Sequence, residues 1–179
     1  MGRRKALAPL AGQPLVTHVA AVLRSSAARL AVVGDTGAAI EVGAVDLMDP
    51  PGLPAGPLAG VCAALEWAAS EGAMFVAVAP CDTPLLTSDV MQRLGAVVLS
   101  GAKIACAETA DGLQPLVSIW RSDLATRLRA EMSGGHPSVR HVLAACGFEQ
   151  VTFGDADAFL NVNTPEDLQR AEAILLARM

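Results

Sequence analysis

Apolar residues recur along this chain in two alternating rhythms, one helical and one strand-like. Leu15, Val16, Val19, Val22 and Leu23 share one face of a helix expected over 14–24, with Pro14 suited to its first turn. Residues 29–33 then read as a strand that ends at Gly34 and Asp35, and a second apolar run, 44–48, ends at Asp49. Residues 49–60 hold four prolines and three glycines, a structured loop that opens a helix expected from Pro57 to Ser70.

The run 74–79 is continuously apolar, as in a strand covered on both faces, and stops at Pro80-Cys81-Asp82-Thr83-Pro84. Thr87 or Ser88 can cap the next helix, with 90–99 as its apolar body. Strands over 103–108 and 113–120 flank Asp111-Gly112, a hairpin-type turn, so this pair should be antiparallel. Helices fit 122–132 and 138–145, and a short strand fits 148–153. Thr164 caps the final helix, Pro165 is its first residue, and Glu166 and Asp167 suit its positive end. This alternation predicts a three-layer α/β/α fold around a mostly parallel sheet with one antiparallel strand. Such sheets bind ligands beyond the carboxyl ends of their strands, where Gly34, Asp35, Asp49 and Asp82 lie.

Composition narrows the partners. The 179 residues suit one domain spanning 1–179, and 53% hydrophobic content with no Tyr excludes a disordered or collagen-like chain. Thirteen basic against 18 acidic residues give a net charge of −5, without the basic excess that a nucleic-acid backbone requires. The mean hydropathy of +0.44 comes with no run of roughly 18 apolar residues, so no membrane partner is expected. The N-terminus has charges but no apolar segment behind them, which points to a cytoplasmic protein. Cys62, Cys81, Cys106 and Cys146 are too dispersed for a C-x-x-C pair and read as buried reduced thiols. His136, His141 and Cys146 fit a glycine-rich loop and an ordinary helix better than a metal site.

Asp82 is the sharpest chemical signal, a carboxylate held between two prolines directly after a buried strand. By position it serves equally as a Mg²⁺ ligand or as a cap for the helix that follows. Asp49 fits a nucleotide contact, and also ordinary turn chemistry before Pro50-Pro51-Gly52. Gly56-Pro57-Leu58-Ala59-Gly60 lets backbone approach a phosphate or polar edge at a helix N-terminus. Arg3, Arg4 and Lys5 place three positive charges together, as in a triphosphate clamp or a solvated terminus.

Taken in order, these segments resemble the molybdenum cofactor guanylyltransferase family of Rossmann-like nucleotidyltransferases. The resemblance rests on Met1-Gly2-x-x-Lys5, Gly12-x-Pro14-Leu15, Gly56-Pro57-Leu58-Ala59-Gly60, the 80–84 pentapeptide, Gln114-Pro115-Leu116 and the 157–168 run. It implies that Lys5 and Asp82 are catalytic, with Asp82 on Mg²⁺. It also implies that Gly34, Asp49, Pro57, Leu58 and Gly60 join them around GTP. Gln114, Arg140, Asn161 and Asn163 are implied toward a pterin cofactor, with Asn163 alternatively helping to cap the last helix. The implied reaction transfers GMP from GTP to a molybdopterin-type cofactor with release of pyrophosphate, and implies transient contact with cofactor-donating proteins and molybdoenzymes.

Two departures stand out. Gly34 occupies the place of a nucleotide-contacting Asn in the family, leaving only backbone or Asp35 there. Family members also open with a strand and a Gly-rich loop upstream of the Met that Met1 matches. The expectation is therefore an upstream start or a truncated gene, and weak GTP binding with little turnover for the chain as given. Alternatives are a cytidylyltransferase on the same pterin, a sugar-phosphate nucleotidyltransferase, or a non-catalytic α/β binding subunit.

Overall fold

The computed structural model describes residues 5–178. After a single 3-10 turn at Lys5–Leu7, a minimal hairpin pairs β1 (Pro9–Leu10) with β2 (Gln13–Pro14) through Ala11 and Gly12, both at positive φ. α1 (Leu15–Arg24) follows, with Pro14 as its N-cap rather than inside its first turn. β3 (Ala31–Val33) leads through Asp35 into α2 (Thr36–Glu41), a six-residue helix absent from the sequence reading, and then β4 (Val45–Leu47). α3 (Pro57–Ser70) begins and ends where Gly56-Pro57 and Ser70 predict.

β5 (Phe75–Val78), α4 (Ser88–Leu99), β6 (Ile104–Thr109) and β7 (Gly112–Arg121) follow, then α5 (Ala125–Ser133), α6 (Val139–Cys146), β8 (Glu149–Thr152) and α7 (Pro165–Ala177). The strand order of the main sheet is β5-β7-β6-β8. β7 runs against both neighbours while β6 and β8 are parallel, so three strands share a direction and β7 opposes them. This is the expected sheet, mostly parallel in strand direction with one antiparallel strand, β7. Inserting β7 between β5 and β6 makes two of the three ladders antiparallel, and β3 with β4 forms a separate parallel pair.

Three layers arise from the two-residue period of the strands. On β6, Ile104 and Cys106 join a core with α3, α5 and α6, whereas Ala105 and Ala107 join one with α1 and α4. The β6–β7 register shifts between Cys106 and Ala107, whose partners are Ser118 and Gln114, and this irregularity holds Pro115. Proline has no N–H for a ladder and belongs at such a break. There Ser118 donates to the Pro115 carbonyl at 3.1 Å and the buried Trp120 indole donates to Ser118 at 2.8 Å.

Among the described residues β3 pairs only with β4 and β5 only with β7. A cleft of about 1040 Å³ opens between them, lined by Val33 and Phe75 and by Val61 and Trp67 of α3 and Gly95 of α4. No helix of the described residues is long and apolar enough to cross a membrane.

Candidate active site

The end of β5 positions the central carboxylate. Two prolines fix the backbone on either side of Cys81-Asp82-Thr83, and the Thr83 N–H returns to the Pro80 carbonyl at 3.4 Å. From the far end of the chain, Val162 donates its N–H to the Asp82 carbonyl at 2.8 Å. Val162 is fully buried beside Leu10, Leu15, Leu85 and Ala171, while Asn161 and Asn163 on either side are exposed. In extended backbone residues two apart share a side, so burying Val162 presents both asparagines outward.

Lys5 bridges the two segments. Its Nζ donates to Asp82 Oδ2 at 2.5 Å and to Asn163 Oδ1, and the two ion-pair side chains are 22% and 25% exposed. Behind Asn163, Asp167 accepts the N–H groups of Asn163 and Thr164, each at 2.9 Å, and the Thr164 hydroxyl accepts the Asp167 N–H in return, a complete capping box. Those two backbone donors, helped by the Thr164 hydroxyl and the Lys5 charge, hold the Asp167 carboxyl below the usual carboxylate range. The group thus carries one ammonium against two carboxylates, an excess of negative charge suited to receiving a cation.

The ends of β3 and β5 meet at Cys81. Its side chain packs against the cluster of Ala6, Val32 and Ala38. Burial, then the charges of Asp82 and Asp35, push its thiol up to about 11, so it is no nucleophile near neutral pH.

Other expected contacts are drawn elsewhere. Asp35 caps α2, its Oδ1 accepting the Ala38 N–H at 3.0 Å, and the Gly34 N–H is committed to the Leu47 carbonyl at 2.9 Å. Gly34 is at φ +75, a backbone conformation that calls for glycine. Leu58 is a core residue of α3, so as a site residue it has only backbone to offer, and Asp49 is exposed. Pro57 and Gly60 do reach the 1040 Å³ cleft, in the same lining as Pro80 and Cys81.

Gln114 and Arg140 form a second group, at the β6–β7 hairpin. Gln114 Nε2 donates to Thr109 Oγ1 at 3.3 Å and to the Gly112 carbonyl at 3.4 Å, and Arg140 donates to the Leu113 carbonyl at 3.0 Å. Asn163 stands apart from them, its carbonyl accepting from Lys5. It is not the helix cap either, since Thr164 fills that role. Arg3 and Arg4 lie outside the described residues.

Two residues of the site escaped sequence reasoning. Thr83, 1% exposed, donates to Asn161 Oδ1 at 3.1 Å, and Asp167 stands behind Asn163. The lone threonine inside the pentapeptide was the only available signal for the first.

No cluster of three or more His, Cys, Asp or Glu able to hold a metal occurs among the described residues. Asp82 alone fits the mode in which Mg²⁺ takes one or two carboxylates and completes its shell with substrate phosphates and water.

The family model of the MobA-like NTP transferase domain matches residues 1–152. The chain belongs to this family. It is 39% identical over 177 residues to a molybdenum cofactor guanylyltransferase of Cereibacter sphaeroides, covering 97% of this chain and 89% of that protein. It is 36% identical over 188 residues to one from Rhizobium meliloti, covering 98% and 86%. The NTP transferase fold is seen again in the crystal structure of molybdopterin-guanine dinucleotide biosynthesis protein A from Archaeoglobus fulgidus. That structure has a TM-score of 0.75 and 23% identity, with 98% of this chain and 91% of that one covered.

Proposed function

We propose that this protein is a molybdenum cofactor guanylyltransferase that moves GMP from GTP to a molybdopterin-type cofactor and releases pyrophosphate. The observation that carries the reading is Lys5 held on Asp82 and Asn163, a cation and a carboxylate on one edge of an NTP transferase fold. The chain's similarity to guanylyltransferases over nearly its whole length supports GTP as donor.

The terminal phosphate of the pterin attacks the α-phosphorus of GTP, a new P–O bond forms, and the bond to the β-phosphate oxygen breaks. The nucleophile is already ionised, so no general base is required, and rate comes from alignment and charge stabilisation. Lys5 leaves Asp82 for the phosphates and stabilises charge on the departing pyrophosphate. Asp82, released from Lys5, and the substrate phosphates would hold Mg²⁺, which when bound supplies Lewis-acid neutralisation of those oxygens. Asn163, whose carbonyl returns Lys5 to the site, keeps the ammonium in reach. Pro57, Leu58 and Gly60 offer backbone at the mouth of α3, and Gly34 and Asp49 lie toward the base. Gln114, Arg140 and Asn161 lie toward the pterin. This reading places the protein in the cytoplasm, in transient contact with cofactor-donating proteins and molybdoenzymes.

The test is pyrophosphate release with molybdopterin, Mg²⁺ and each of GTP, CTP and ATP, alongside thermal stabilisation by each nucleotide. GTP at 100 times its dissociation constant should add about 2.7 kcal/mol. Turnover with CTP alone would move the assignment to a cytidylyltransferase, and no stabilisation by any nucleotide would leave a non-catalytic binding protein.

A further inference from the structure

The ammonium of Lys5 spans two oxygens from distant parts of the chain, Asp82 Oδ2 at 2.5 Å and Asn163 Oδ1. A lysine ammonium only donates, so the direction of both contacts is fixed. A carboxylate and a side-chain carbonyl are also the oxygens that hard divalent cations take. Two cations cannot share this carboxyl cheaply, because Asp82 carries a single negative charge. A divalent ion on its other oxygen would stand a few ångströms from the ammonium and be repelled by it.

The root of Lys5 is anchored while its tip is not. Ala6 is buried against Val32 and Ala38, and the Ala8 N–H closes the turn on the Lys5 carbonyl at 3.0 Å. The Lys5 side chain keeps 22% of its surface in solvent, so releasing Asp82 requires a change of rotamer in a four-carbon stem and no movement of the fold. We propose that Lys5 gates metal entry: without nucleotide its ammonium blocks the divalent-cation position at Asp82, and a triphosphate opens that position by drawing the ammonium onto its own oxygens. Free metal then binds weakly, and metal and nucleotide bind together. The triphosphate and the place of the metal rest on the nucleotidyl-transfer reading, whereas the block rests on the two contacts of Lys5.

The probe is Mn²⁺, which takes the same carboxylate, carbonyl and water ligands as Mg²⁺ and is counted by its electron paramagnetic resonance signal when free. It is titrated into the full chain without nucleotide. Lys5→Met keeps the stem and removes the charge, and should tighten Mn²⁺ binding by about tenfold, within the usual range of coupling between two sites. Lys5→Gln should do the same, so the outcome does not depend on one variant folding, and melting curves with and without Mn²⁺ give a second reading. Adding Asp82→Asn to Lys5→Met should abolish the gain. A parent that binds Mn²⁺ as tightly as Lys5→Met and Lys5→Gln would overturn the proposal. So would a gain that survives Asp82→Asn, since the ammonium would then act through general charge and not at this carboxylate. Absence of stabilisation by GTP, CTP or ATP would instead remove the nucleotidyl-transfer reading, while the Mn²⁺ titrations would still decide whether Lys5 excludes a divalent ion from Asp82.

Discussion

Replacing Asp82 with Asn removes one charge and almost no volume, which separates what the carboxylate does for the fold from what it does for chemistry. At 2.5 Å from Lys5 Nζ, the gross attraction in a medium of effective dielectric about 20 is roughly 7 kcal/mol. Both side chains are about three-quarters buried, so loss of hydration offsets most of that. Between the 0–1 kcal/mol typical of exposed pairs and the 3–5 kcal/mol for breaking buried ones, about 1–2 kcal/mol is expected. For a chain of 179 residues this lowers Tm by about 2–8 °C. The fold survives because the seam to Val162 uses the Asp82 main-chain carbonyl, which Asn keeps. Transfer should nevertheless fall by at least about 10²–10³, the scale for losing one fixed charge-stabilising group. Circular-dichroism melts and pyrophosphate release measure the two effects on the same sample. A variant that retains a tenth of the parent's transfer rate would remove Asp82 from the phosphate and metal site. One that melts more than about 15 °C lower would show the carboxylate to be structural.

Further expectations concern stability. Thr164→Ala breaks the capping box that also seats Asn163, and should cost about 1 kcal/mol and about 2–4 °C in Tm, read by calorimetry. Thr17 Oγ1 is buried without a partner among the described residues, so Thr17→Val should raise stability by about 1 kcal/mol, seen as a higher urea midpoint at unchanged slope. Burial pushes the Cys62 thiol to about 11 and that of Cys106 to about 12 from an ordinary value of 9.0. Thiols raised in the folded state leave stability unchanged below pH 9 and withdraw it as pH rises toward 11–12, which urea titrations across that range will show. For the same reason, Cys81 should react with iodoacetamide at pH 8 far more slowly than free cysteine, and labelling at the free-thiol rate would contradict its burial.

Local chemistry was legible wherever one residue type decides a conformation. Pro57 after Gly56 marked the start of α3, Thr164-Pro165 that of α7, and Asp111-Gly112 marked the turn between β6 and β7. α2 was not legible because six residues are too few to show a period, and its signal, Asp35, reads equally as a ligand at the end of a strand. The β1–β2 hairpin was hidden for a related reason, since Ala11 at φ +48 is not a residue that announces a turn.

The sequence by itself determined the alternation of strands and helices, the caps that bound several of them, and the identity of the charged residues at the strand ends. Those depend on interactions within a few residues, which propensity and spacing report. Tertiary structure alone decided that β7 lies between β5 and β6, that Leu58 and Asp35 are occupied in core and cap, and that Gln114 and Arg140 group at a hairpin. It also brought Lys5 to Asp82 across 77 residues and to Asn163 across 158. Such meetings are set by burial of residues that take no part in them. Val162 in its pocket fixes where Asn161 and Asn163 stand, and its packing partners are scattered over the whole chain.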